Sequence, residues 1–182
     1  MVEVLPYSYI NPQQGITIYG YVKLNSVPVW QGSYPNPAGV NNPRGINIIL
    51  VDPLSCSKLE WRQFDTHADP NAAKQLSNYL QQVNRGSIIV GVSADEPIHA
   101  LASALPTLRK IGADVSDVQV RGAFGFVAQK GFPCKTVLRK ALAQAESNAN
   151  PPRFNATVTG TSPNIVGLDL TTLYHNHTTT KY

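Results

Sequence analysis

Residues 88–92, Ile-Ile-Val-Gly-Val, constrain this chain more than any other stretch, because the run is apolar without the alternation of a half-wet strand. It reads as a strand buried on both faces, which requires a packed layer above it and another below. The run ends almost at once in two adjacent carboxylates, Asp95 and Glu96, followed by Pro97. Two readings of that pair are open. Acidic residues ahead of a proline start and cap a helical segment. Alternatively, polar groups at the end of a rigid strand are held out toward a ligand.

At 182 residues the chain is one domain with flanking segments, long enough to bury a sizeable core. Only 14% of residues are charged, 42% are hydrophobic, and 14 Pro with 13 Gly point to a loop-rich globular protein rather than a helical bundle or a disordered chain. The formal charge is +4, but the 15 Lys and Arg form no cluster, which argues against nucleic acid as a partner. No apolar run approaches the roughly 20 residues that span a bilayer, so membrane insertion is not expected. The first residues, Met1 to Tyr7, lack the basic and apolar regions of a signal peptide. Sequons at Asn155 and Asn176 fit a secreted protein. The two cysteines, Cys56 and Cys134, favour a disulfide that closes a long loop, with two free thiols as the alternative that spacing does not decide.

In chain order, residues 1–14 form a Pro- and Tyr-containing lead-in. Residues 16–24 alternate as a strand, and Asn25-Ser26 turns it into a return through Val27 to Trp30, where Pro28 marks a sheet edge. After a Pro/Gly/Asn loop from Gly32 to Pro43, Arg44-Gly45 opens a strand over Ile46–Asp52, and Leu59–Asp65 reads as its antiparallel partner. Asp69-Pro70 predicts a helix start with Asp69 as cap, and Ala73, Leu76, Tyr79, Leu80 and Val83 form its apolar stripe until Gly86. Pro106 fits only the first turn of a short helix capped by Ser103 and ended at Gly112. Val118 to Gly131 reads as one last long strand and Cys134 to Glu146 as a helix. Residues 151–182, rich in Thr and Asn, read as an extension, leaving 15–150 as the domain proper.

No catalytic signature stands out, and no enzymatic activity or cofactor is expected. The histidines are His67, His99, His175 and His177, and no set of them has metal-ligand spacing with further ligands, so no metal site is expected. What remains are polar residues on strands: Arg44 at the start of one, Asp95 at the end of another and Arg121 within a third. A guanidinium fork supplies donors and a carboxylate supplies acceptors, a combination suited to the hydroxyls and acetamide of a sugar. An ion pair between Asp95 and one arginine explains the same residues, and residue types alone give that reading precedence.

The order of motifs resembles the GG domain of the interleukin-like EMT inducer proteins, found also in the stem domain of protein O-mannose N-acetylglucosaminyltransferase. The resemblance runs from about Gly15 to Gly131. It rests on Pro43-Arg44-Gly45-Ile46-Asn47, Phe64-Asp65-Thr66, Val92-Ser93-Ala94-Asp95-Glu96, Arg109-Lys110-Ile111-Gly112 and Phe126-Val127-Ala128-Gln129-Lys130-Gly131. It implies an α+β fold, a compact β-sandwich of two mainly antiparallel sheets flanked by short helices. In the transferase stem such a domain binds β-linked N-acetylglucosamine, and the matching positions here are Arg44, Asp95 and Arg121, with Glu96, Gly122 and Phe124 in support. The stem's tryptophans are replaced by Val120 and by Gly122-Ala123-Phe124, which removes a ring platform for a sugar. Cytokine-like members carry more cysteines, so their disulfide pattern does not transfer.

The expected function is therefore a non-enzymatic, lectin-like protein of the secreted class. Its partners would be N-acetylglucosamine or related β-linked glycans, and weak single sites favour a homo-oligomer. A secreted cytokine-like protein that binds a protein receptor is the alternative.

Overall fold

The computed structural model describes residues 1–8, 18–35, 43–158 and 165–168. In chain order these supply β1 (Val2–Leu5), β2 (Ile18–Leu24), β3 (Val27–Tyr34), β4 (Gly45–Val51), β5 (Lys58–Phe64), α1 (Ala72–Gln82), β6 (Ile88–Ala94), α2 (Leu105–Lys110), β7 (Ala123–Gln129), β8 (Val137–Ala141), α3 (Gln144–Ala149), β9 (Phe154–Val158) and β10 (Ile165–Leu168). One sheet has the order β10-β9-β1-β2-β3 and the other β5-β4-β6-β7-β8. All neighbours in both sheets are antiparallel. The molecule is thus an α+β sandwich with short helices. None of its described helices is long and apolar enough to cross a membrane.

Every residue of β6 is buried. The cause is a three-layer arrangement. Ile88, Val90 and Val92 face the first sheet, packing with Val2, Val4, Val22, Leu24, Trp30 and Phe154. Ile89 faces the other way, into a core closed by Leu76 and Leu80 of α1 and Leu108 of α2. Each face of β6 therefore removes apolar area from water, at roughly 25 cal/mol per Å2. Gly91 sits where the helix-side face is tightest. A Cβ there would lie 2.1 Å from a ring carbon of Phe126.

The β2–β3 hairpin turns at Asn25 and Ser26, both with positive φ, as a two-residue turn with the strands' own twist demands. β3 is an edge strand, as Pro28 requires.

Several readings are corrected. The α1 cap falls at Asn71 rather than Asp69, because residues 65–71 form successive turns; Asp69 Oδ1 accepts the Asn71 N–H at 2.8 Å instead. Ala104, not Ser103, precedes α2, since Ser103 lies within the preceding 3-10 turn Ala102–Ala104. β7 is shorter than the strand read over 118–131, starting at Ala123. The helix read over 134–146 is instead β8 followed by the short α3, because pairing with the free edge of β7, from Ala123↔Ala141 to Val127↔Val137, outweighs propensity differences of tenths of a kcal/mol per residue. The segments read as flanks, 1–14 and 151–182, supply β1 and β9, which pair with each other in the first sheet. Both cysteines are free. Cys56 lies in the turn between β4 and β5, and Cys134 lies in the 3-10 turn Pro133–Lys135 after β7.

Candidate functional site

Three consecutive strands of the helix-covered sheet end together. Register pairs Gly45 of β4 with Ala94 of β6, so Arg44 and Asp95 leave the sheet side by side. β6 pairs Val92 with Gly125 of β7, so the residues before β7 run back past Asp95 and Glu96. Arg44, Asp95 and Arg121, far apart in sequence, thereby meet at one end of the sandwich with Asp95 in the middle.

Asp95 is only 6% exposed and Glu96 4%. Asp95 has φ +59 and Arg121 φ +61. The left-handed region is uncommon for non-glycine residues, less so for Asp than for Arg, and strain of this kind gathers at binding sites. Burial pushes the Asp95 carboxyl up. Arg44, His67 and Arg121 pull it down, and Glu96 adds to the rise. These causes place four charged or titratable groups around one carboxylate.

The guanidinium of Arg44 is aimed by Asp65, the residue after β5. Its Nε donates to Oδ1 at 3.0 Å and an Nη to Oδ2 at 2.8 Å, a planar two-point pair. Asp65 Oδ1 also accepts the N–H groups of His67 at 3.2 Å and Ala68 at 3.1 Å. Burial acts to raise the Asp65 carboxyl, but the hydrogen bonds from Arg44 and Ala68 and the Arg44 charge hold it below the ordinary value. The acidic partner of Arg44 is thus Asp65, while Asp95 belongs to none of the ion pairs within 4 Å among the described residues.

Glu96 has a different task from its neighbour. Oε1 accepts the Ile98 N–H at 2.8 Å and Oε2 the Arg121 N–H at 2.6 Å, which joins the end of β6 to the turn before β7. Gly122 is tight against Val118 and the carbonyls of Ala141 and Leu142, so it shapes that turn. Phe124 does not line the site. It is fully buried in the core beneath the helices, because its position in β7 points to that face.

Sequence reasoning missed several neighbours. Tyr7, just past β1, bonds through its N–H to the Ser93 carbonyl at 3.2 Å, and its carbonyl accepts the Asp95 N–H at 3.1 Å. Its hydroxyl donates to the Ser33 carbonyl at 3.3 Å, and burial followed by the Asp95 charge pushes it up. Ser8 Oγ donates to the Arg121 carbonyl. Thr66 Oγ1 donates to the Pro97 carbonyl at 2.6 Å, which brings His67 and His99 to a ring separation of 5.4 Å. Only Asp65 had a local signal, the side-chain-to-backbone turn that Asp-Thr-His-Ala favours. Among the described residues no group of three or more His, Cys, Asp and Glu is placed to hold a metal ion.

A carboxylate acceptor between two guanidinium donors, on rigid strand ends, can bind a ligand rich in hydroxyls by bidentate hydrogen bonds. The comparison with curated proteins returns no match. The comparison with family models matches residues 44–132, a span that holds Arg44, Asp65, Asp95, Glu96 and Arg121 and leaves out Tyr7 and Ser8. Over that span, just under half of the chain, it is similar to the interleukin-like EMT inducer family.

Proposed function

We propose that the chain is a non-enzymatic, lectin-like protein of the extracellular space whose site takes N-acetylglucosamine or a related β-linked sugar. The observation that carries this reading is the buried Asp95, outside every ion pair of the described residues and flanked by Arg44 and Arg121. Keeping a carboxylate buried without a direct cation costs stability, and a ligand with vicinal hydroxyls supplies the missing donors. Arg44 and Arg121 then donate to ring substituents. Val120, 59% exposed beside Arg121, offers apolar surface to the sugar in place of a ring. One such shallow site binds in the millimolar to micromolar range, so several copies acting together give useful avidity.

A glycan array tests this. Wild type carries signal for β-linked N-acetylglucosamine and Asp95→Ala does not. No signal from folded wild type contradicts the sugar reading, and equal signals from both proteins contradict the site.

Receptor binding is the second reading. Val27 of β3 and Leu59 and Trp61 of β5 are exposed on the two edge strands, which approach where Lys58 Nζ donates to the Val29 carbonyl at 3.4 Å. That reading predicts cell-surface binding that survives enzymatic removal of glycans and is lost in Trp61→Ser.

A further inference from the structure

Arg121 is the site residue whose conformation is least natural to its type. An arginine at φ +61 needs its peptide groups held from outside. Two buried side chains do this. Glu96 Oε2 accepts the Arg121 N–H at 2.6 Å, and Ser8 Oγ donates to the Arg121 carbonyl. Glu96 is itself fixed, since its other oxygen accepts the Ile98 N–H at 2.8 Å. Ser8 is fixed by Tyr7, whose N–H and carbonyl bond to Ser93 and Asp95. Ser8 is 1% exposed and Glu96 4%, so neither is free to exchange these partners for water.

We propose that Ser8 and Glu96 are positioning residues of the sugar site, a two-point clamp on the backbone of Arg121 that stands its side chain beside Asp95. The inference rests on the sugar reading for its purpose, although the clamp itself is read from hydrogen bonds alone. It makes the first sheet part of recognition: Ser8 follows β1, outside the span 44–132 that matches the family. The clamp also separates the two acids at the end of β6. Asp95 meets the ligand, and Glu96 sets the geometry of the arginine across from it.

The test uses the full chain, isotopically labelled, as wild type, Ser8→Ala, Glu96→Gln, Arg121→Ala and Ser8→Ala/Arg121→Ala. Thermal melts check that each folds, and Glu96→Gln gives a second route should Ser8→Ala not fold. Two readouts follow. Without ligand, the Arg121 13Cα and 13Cβ shifts leave left-handed values in Ser8→Ala and in Glu96→Gln. With methyl β-N-acetylglucosaminide, Ser8→Ala weakens affinity roughly 5- to 10-fold in wild type and less than about 2-fold in the Arg121→Ala background, the non-additivity of residues acting through one another. Unchanged Arg121 shifts in the folded variants overturn the clamp. Equal losses in both backgrounds overturn its role in positioning. Wild type that fails to bind the glycoside removes the sugar reading, and the ligand-free shifts then decide the clamp by themselves.

Discussion

Asp95 is a residue the fold holds at a cost. Its carboxyl is raised by burial, the pull of Arg44, His67 and Arg121 notwithstanding. The folded state therefore binds this proton more readily than the unfolded chain. Any stabilising contribution is complete below the ordinary value of 3.8 and is lost as pH rises through the raised folded value. Asp95→Asn should accordingly melt higher than wild type at pH 7, with the gap closing as pH falls toward 3.8, while its sugar affinity drops roughly 10- to 100-fold. Melting curves across pH and a parallel titration check both halves. Asp65 has the opposite sign: its contribution is present above 3.8 and lost as pH falls through the lowered folded value. Asp65→Ala should cost about 1 kcal/mol at pH 7 in urea unfolding and weaken sugar binding several-fold by releasing Arg44. Arg44 and Asp95 were legible in the sequence as polar residues at strand ends, whereas Arg121 was read inside a strand and joined them through the family resemblance. The partner of Arg44 was not, because choosing between Asp65 and Asp95 needs the side-chain geometry that only the folded turn at 65–68 supplies.

At the level of elements, the strongest patterns were read best. β6 had only one place to go, between two layers, because five apolar residues in a row leave no wet face. Pro28 and the Asn25-Ser26 turn located an edge hairpin through local sterics. The failure at 134–146 is the instructive one. Val137, Leu138, Ala141 and Leu142 suit a helix face, yet the vacant edge of β7 recruits Val137–Ala141 as β8, a non-local event with no sequence mark. Packing at β6 makes a sharp prediction. Gly91→Ala forces a Cβ into the Phe126 ring, so the ring or the sheet must move, at about 1–3 kcal/mol of stability, as read from denaturant midpoints. Since Phe126 is fully buried among the residues beneath α1, the change should leave the site's chemistry intact in whatever fraction remains folded.

The molecule as a whole consists of a helix-covered sheet, β4 to β7 of which lie in the span similar to the family, and a first sheet built from flanking segments. β1 lies at the centre of that first sheet, and β9 pairs beside it, so the two distant ends of the described chain close the core together. A fragment of residues 44–141 leaves Ile49, Val51, Val90, Val92 and Val127 uncovered and should show no cooperative thermal transition, in contrast to the full chain. Cys56 and Cys134 both react with a thiol reagent, and dithiothreitol leaves the melting temperature unchanged. The central claim concerns the end of the sandwich where β4, β6 and β7 place Arg44, Asp95 and Arg121, and it is tested most directly by mapping amide shifts while methyl β-N-acetylglucosaminide is added to ~50 mM. Saturable shifts confined to residues 44–45, 94–97 and 120–122, with the midpoint moved at least roughly tenfold higher in Asp95→Asn, are the predicted result. Folded wild type whose spectrum does not change, or whose shifts fall on the outer face around Tyr19 and Tyr21, would contradict it.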